Sequence, residues 1–290
     1  WQVHTSVAYA NMVGPFGGIT GAQALNAVLQ HPQLLGEPVS MADGDEVAAT
    51  MARLHAGFGV WSARPLAERA ALLRRAADEL EARLPEFCGL LVKEAHKTLG
   101  DCIAEVREAV DFCRFYAQQA RTGLQPVDLP GPTGERNVLR YAGRGVWVCI
   151  APWNFPLAIF LGQIAAALVT GNTVVAKPAP QTPRIAAQVV ALAREAGIPE
   201  NALVLATAGP DVGAALIANP AIAGVAFTGS TSTAKTIARA LLEDDNRPLV
   251  PLIAETGGIN AMIVDSTALP EQAVRDIVAS ADRKSTRLNS

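Results

Sequence analysis

From Gly145 onward the sequence alternates short valine-rich runs with longer helical segments. The apolar runs cover residues 146–150, 173–176, 202–205, 224–227 and 249–254. Helical patterns between and after them cover residues 155–170, 183–196, 211–218, 231–242 and 269–281. Apolar strands joined by crossover helices of this length are typical of a parallel sheet buried on both faces. We therefore predict an α/β fold with a Rossmann-like parallel sheet flanked by helices, and a ligand site at the carboxyl ends of the strands.

A helical segment precedes the predicted sheet. Between about Asp45 and Gln119, apolar residues recur at intervals of three or four, and charged residues occupy the opposite face. We expect those charges, including Glu105 and Glu108, to be solvated. Residues 123–136 are rich in Pro and Gly, and residues 137–141 read as a short extended stretch.

Composition excludes several classes of partner. Half of the 290 residues are hydrophobic and the formal net charge is −3, so the chain offers no broad field for nucleic acid or an anionic membrane surface. Residues 155–170 are strongly apolar, but Pro156 and Gln163 interrupt them and they are too short to span a bilayer. We predict a buried helix there, and a small-molecule ligand.

The four cysteines are Cys88, Cys102, Cys113 and Cys149. They form no CxxC pair and have no clustered His beside them, which argues against a disulfide framework and against a metal site. We expect a reducing, cytoplasmic location. The chain begins at Trp1 without a signal pattern, so we expect it to continue a longer protein and not to be exported.

An asparagine in an unusual setting follows the first apolar run. Asn154 stands between Pro152 and Pro156, with Trp153 and Phe155 beside it. Its side-chain amide could donate to a developing oxyanion. The alternative is a turn in which Asn154 satisfies local backbone.

Polar residues also follow the second and fourth runs. Lys177 opens a proline-rich loop, residues 178–183, and a lysine there can bind ribose hydroxyls or phosphate; the alternative is a surface lysine. Gly229 and Ser230 precede a predicted helix, whose free amides can bind a pyrophosphate; the alternative is an ordinary N-cap.

Glu255 follows the last apolar run and stands close to Gly257 and Gly258. A carboxylate is seldom placed at this point for structural reasons alone, because burying a charged Glu costs free energy unless the side chain is paired or takes part in chemistry. It suits a general base.

In this order and spacing, the four motifs resemble the aldehyde dehydrogenase superfamily over roughly residues 45–281. The matching segments are 152–156, 177–183, 227–231 and 255–258 with Asn260. The resemblance implies that Asn154 is the oxyanion-hole amide and that Glu255 activates water. It also implies that Lys177 holds the adenosine ribose of NAD, and that Gly229 and Ser230 hold its pyrophosphate. The further cofactor contacts that it implies are Ile150, Pro152, Trp153, Ala179, Gly213, Phe227 and Gly257.

Lys97, Thr98, residues 103–112, Ala234 and residues 254–265 are similar to the 1-pyrroline-5-carboxylate dehydrogenase module of bifunctional proline utilisation A. This resemblance implies NAD-dependent oxidation of L-glutamate γ-semialdehyde to L-glutamate by a homo-oligomeric full-length protein, with a proline dehydrogenase module on the same chain. Two other functions stay open: an aldehyde dehydrogenase with another substrate, and a non-catalytic nucleotide-binding protein.

Two positions depart from the pattern of the family. Pro180 stands where relatives often carry a ribose-binding Glu, so NADP is not excluded as the cofactor. His96 stands where a glycine is common.

The resemblance also divides the chain. It implies an N-terminal segment, 1–44, that we interpret as an interdomain linker, and an NAD-binding domain, 45–254, with an extended excursion at 123–141. Residues 255–281 begin a truncated catalytic domain, and we interpret residues 282–290 as a foreign tail. The nucleophilic cysteine is expected near position 289, where this sequence has Asn289. We therefore expect the chain itself to be inactive.

Overall fold

The computed structural model describes residues 44–207, 209–259 and 261–281. Within them a five-stranded parallel sheet has the strand order β5-β4-β3-β6-β7, so β3 lies at its centre. The sheet strands are β3 (Val146–Ile150), β4 (Thr173–Lys177), β5 (Leu203–Leu205), β6 (Ile222–Gly229) and β7 (Leu252–Thr256). Two short antiparallel strands form a separate hairpin, β1 (Val127–Leu129) with β2 (Asn137–Leu139).

Helices occupy both faces of the sheet. Four precede it: α1 (Gly44–Ala63), α2 (Leu66–Ala82), α3 (Leu84–Ala95) and α4 (Leu99–Gly123). Five connect or follow the strands: α5 (Ala158–Val169), α6 (Pro183–Glu195), α7 (Pro210–Ala218), α8 (Thr231–Leu241) and α9 (Pro270–Ala281). The prediction of a parallel α/β fold preceded by helices is confirmed.

Alternation along the strands separates two cores. Val146 and Val148 of β3 pack with α1, α7 and α8 on one face, which we call face A. Cys149 belongs to the larger core on the opposite face, which we call face B, where α5 and α6 lie between the sheet and the helices α2 to α4. Successive strand residues point to opposite faces, so the sequence of each strand determines which residues reach which face.

Several details differ from the expectations. Residues 127–129 form a strand that the Pro- and Gly-rich composition did not suggest. The last strand begins at Leu252 rather than 249, and its four residues from Ile253 onward are exposed, so the expected burial on both faces is wrong for β7. Glu105 was expected to be solvated but is 1% exposed, because it faces the start of α5 rather than water.

Residues 155–170 were expected to contain a buried core helix, and α5 confirms this. Across the part of the chain that the structure describes, every helix is too short or too polar to cross a membrane. The proposed linker 1–44 lies outside the described residues except for Gly44, and the tail 282–290 lies outside them entirely.

The absence of a side chain at Gly224 allows β6 to pack against Trp147 of β3. A Cβ added at Gly224 would lie 2.2 Å from Trp147 Cε2. We expect Gly224→Ala to lower the free energy of unfolding by about 1–3 kcal/mol, because the indole ring must move out of its packed position. Urea denaturation measures the change.

Gly59→Ala is the matched control, since Gly59 lies on α1 with open space around its Cα. There the same substitution should leave stability unchanged or raise it by up to about 1 kcal/mol, because alanine favours the helix. Equal denaturation midpoints for the two variants would contradict the packing argument.

Candidate active site at the carboxyl edge of the sheet

The register of the sheet aligns the predicted site residues. Ile150 of β3 pairs with Lys177 on one side and with Phe227 on the other, and Phe227 pairs with Ala254 of β7. Because all four strands are parallel, their carboxyl ends meet along one edge. The four motifs named from the sequence therefore lie along that single edge.

The two faces divide these residues into two groups. Lys177 and Phe227 follow the alternation of Val175 and Val225 and point to face A, toward α7 and α8. Glu255 pairs with Thr228, one residue further along, and so lies on face B with α5. Candidate cofactor ligands and the candidate base thus lie on opposite faces of the same edge.

Lys177 is an unusually buried cation, with 6% of its surface exposed. Burial lowers its pKa, since the charged form loses water. Its side chain runs past α7, where a Cβ added at Gly213 would lie 3.1 Å from Lys177 Cε. The sequence named both residues separately, and the structure brings them into contact.

The junction of β6 and α8 has the geometry of an anion site. Gly229 ends β6, and Ser230 is the N-cap of α8, accepting a hydrogen bond from Thr233 N at 3.2 Å. The amides of Thr231 and Ser232 lie in the first turn, where a helix has no internal acceptors for its N–H groups. These amides can donate to phosphate oxygens.

The Asn154 loop joins β3 to α5 on face B. Pro152, Trp153 and Asn154 are half-buried, so the loop is neither a free surface turn nor part of the core. Ala151 N donates to Lys177 O at 3.1 Å, which continues the β3–β4 pairing into the start of the loop. The loop is therefore anchored to the strand that carries Lys177.

Glu255 differs from the expectation in two respects. It lies inside β7 rather than after it, and it is exposed rather than buried. It lines a cleft of about 520 Å³ on face B that Tyr116, Gln163 and Thr228 also line. Burial, and secondarily the negative charge of Glu255, raise the pKa of Tyr116 to about 12. Asn154 does not line this cleft.

Sequence reasoning missed the role of Gln163. Its Nε2 donates to Ile150 O at 3.3 Å and to Thr228 Oγ1 at 3.0 Å, which joins the ends of β3 and β6. The signal was present, since Gln163 is the one amide in the apolar run of α5. An amide in that position indicates a polar target on the facing sheet.

The remaining predicted site residues lie either at the same edge of the sheet or outside the residues that the structure describes. Ala179 is half-buried in the loop after β4, where its carbonyl accepts from Thr182 N at 3.1 Å. Gly257 follows β7 and is exposed. Asn260 and Asn289 lie outside the described residues.

All four cysteines are buried. Burial raises the pKa of Cys88 and Cys113 to about 12, and it raises the pKa of Cys149 and Cys102 as well. Thiols in such settings remain protonated at neutral pH and are poor nucleophiles. Cys149 is therefore a core residue, although it lies near the Asn154 loop in sequence.

The fold and this edge match one family of proteins. The model of the aldehyde dehydrogenase family matches residues 32–285, and the chain belongs to that family. It is 55% identical over 219 residues to the bifunctional protein PutA of Rhizobium meliloti, which covers 74% of this chain. It is also 39% identical over 246 residues to the 1-pyrroline-5-carboxylate dehydrogenase of Anoxybacillus flavithermus, which covers 84% of this chain.

A solved structure of proline utilization A with proline bound in remote sites superimposes with a TM-score of 0.82 at 56% identity. The match covers 89% of this chain and 26% of that one. The chain spans 17% of the length of the Rhizobium PutA and 48% of the Anoxybacillus dehydrogenase. The family resemblance expected from the motifs is confirmed.

Proposed function

We propose that this chain forms the cofactor-binding part of an enzyme that oxidises L-glutamate γ-semialdehyde to L-glutamate with NAD. The observation that supports this most strongly is the alignment of Ile150, Lys177 and Phe227 at one sheet edge, beside the Asn154 loop and Glu255. The substrate is proposed from the relatives, which are named PutA and 1-pyrroline-5-carboxylate dehydrogenase.

The residues of face A fit a dinucleotide. Lys177 would bind the ribose hydroxyls, and the missing side chain of Gly213 leaves the space in which the Lys177 side chain lies. The pyrophosphate would accept hydrogen bonds from the first amides of α8, next to Gly229 and Ser230. We favour NAD over NADP, although Pro180 offers no carboxylate to exclude a 2′-phosphate.

The residues of face B suit the aldehyde chemistry. Asn154 would donate its side-chain N–H to the oxyanion that forms when a thiolate adds to the aldehyde carbon. Glu255 would accept a proton from the water that releases the acid, and its exposed position leaves water access to it. NAD, when bound, accepts the hydride from the substrate carbon.

Lys177→Met tests the cofactor proposal. We expect NAD affinity to fall roughly tenfold or more, since a charge-assisted hydrogen bond is worth about 1.5–3 kcal/mol. Titration calorimetry with NAD and with NADP measures the change and the cofactor preference. Lys93→Met is the control, because Lys93 is an exposed lysine on α3 and its loss should leave affinity unaltered. Equal affinity of Lys177→Met and the parent chain would count against the assignment.

We further propose that the 290-residue chain does not oxidise aldehydes, because its four thiols are buried and position 289 carries Asn289. We expect no NADH from glutamate semialdehyde and NAD, measured at 340 nm. We also expect no iodoacetamide labelling of the native chain near pH 7, and labelling of four thiols after unfolding. NADH formation, or rapid labelling of Cys149 in the native chain, would contradict this.

We propose that the full-length protein is a cytoplasmic homo-oligomer that carries a proline dehydrogenase module. The module is supported by the bifunctional relatives. Oligomerisation is supported by the hairpin β1–β2, where Val127, Leu129 and Leu139 expose 47%, 46% and 41% of their surface. Such an apolar hairpin suits burial against another copy. A monomer of the full-length protein in sedimentation equilibrium would contradict the oligomer.

A further inference from the structure

A buried ion pair lies behind the Asn154 loop. Lys97 follows α3 and is 5% exposed, and Glu105 of α4 is 1% exposed. Lys97 Nζ donates to Glu105 Oε2. Burial raises the pKa of Glu105, and Lys97 opposes that rise. A buried ion pair contributes little net stability compared with apolar packing of the same volume. Stability alone therefore does not explain why the two charged residues are buried here.

One partner of the pair holds the start of α5. Glu105 Oε1 accepts hydrogen bonds from Leu157 N at 2.9 Å and from Ala158 N at 3.2 Å. These are amides at the N-terminus of the helix, which have no internal acceptor. A carboxylate there also interacts favourably with the positive end of the helix dipole. Glu105 therefore fixes the chain three residues after Asn154.

The other partner holds the loop itself. Lys97 Nζ lies 3.9 Å from the centroid of the Phe155 ring, in the geometry of a cation–π contact. Phe155 is the residue directly after Asn154. The ion pair thus contacts the chain at two points, the ring of residue 155 and the backbone of residue 157. Both points follow Asn154 in the sequence.

The backbone conformation on either side of Lys97 determines where its side chain points. His96 adopts a φ of 55°, in the left-handed conformation that glycine adopts most readily. Thr98 caps α4 by accepting from Asp101 N at 3.3 Å. The turn between α3 and α4 therefore directs Lys97 inward.

We propose that Lys97 and Glu105 are positioning residues that set the orientation of the Asn154 side chain, through Phe155 and through the first amides of α5. This inference rests on the proposed role of Asn154 as the oxyanion donor. Both side chains are buried behind the loop and act through it. Its effect is to hold the loop in one arrangement, so that the amide of Asn154 does not have to be ordered when the oxyanion forms.

The chain contains a matched control for this device. Glu94, near the end of α3, accepts hydrogen bonds from Arg184 N and Ile185 N, both at 2.9 Å. It caps α6 in the same manner as Glu105 caps α5, but α6 follows the loop of Lys177 rather than that of Asn154. Loss of either carboxylate removes one helix cap, and only the loss of Glu105 should alter the Asn154 loop.

The test uses NMR of the 290-residue chain labelled with ¹⁵N. Glu105→Gln and Lys97→Met should each shift the side-chain amide signals of Asn154. They should speed hydrogen exchange at the amide of Leu157 by about tenfold relative to Val175 of β4, because a neutral or misplaced acceptor binds the amide less strongly. Glu94→Gln should leave the Asn154 and Leu157 signals unchanged.

Unshifted Asn154 signals, or equal acceleration at Leu157 and Val175, would overturn the proposal. If a single variant does not fold, the double variant Lys97→Met/Glu105→Gln avoids an unpaired buried charge and should fold with shifted Asn154 signals. Failure of the double variant to fold would show a general structural role and would also overturn it. The readout needs no cofactor, so a negative result here is distinct from unchanged NAD affinity in Lys177→Met.

Discussion

The central strand β3 is the constraint on which the rest of the site depends. Its backbone is hydrogen-bonded to β4 on one side and to β6 on the other, so its register sets theirs. A slip of one residue in either neighbour would move Lys177 or Phe227 to the opposite face, because the side-chain period of a strand is two. Val175 of β4 and Val225 of β6, both buried on face A, oppose such a slip, because it would carry them out of the core in which they pack with Val148.

The carboxyl edge of the sheet has two chemical environments close together, one on each face. Face A offers a buried cation and free helix amides, which suit an anionic dinucleotide. Face B offers a carboxylate next to a cleft and a half-buried amide loop. The end of β3 lies between them, and Gln163 joins it to Thr228 of β6. Movement of the β3 end relative to β6 would therefore break the hydrogen bonds of Gln163, which hold the two strand ends together.

The sequence predicted the strands well because alternation of apolar runs with helices is a strong local signal. It located Lys177, Gly229 and Ser230 correctly at strand ends for the same reason. The sequence did not predict the burial of Glu105. The spacing of apolar residues in α4 shows that Glu105 lies outside the apolar stripe of the helix, but it does not show that another element packs against that part of the helix. The sequence also failed for the environment of Glu255, because the burial of a strand depends on its neighbours and not on its composition.

The edge of the sheet at β7 has a further consequence for the chain in solution. Among the described residues β7 pairs with β6 alone, so it is the edge strand of the described sheet. Ile253 of this strand is 51% exposed and Ile263, beyond it, is 93% exposed. An open strand edge beside apolar side chains is a template for further strands, including those of another copy. Charged substitutions at the exposed positions of β7 would therefore weaken the addition of a strand at this edge.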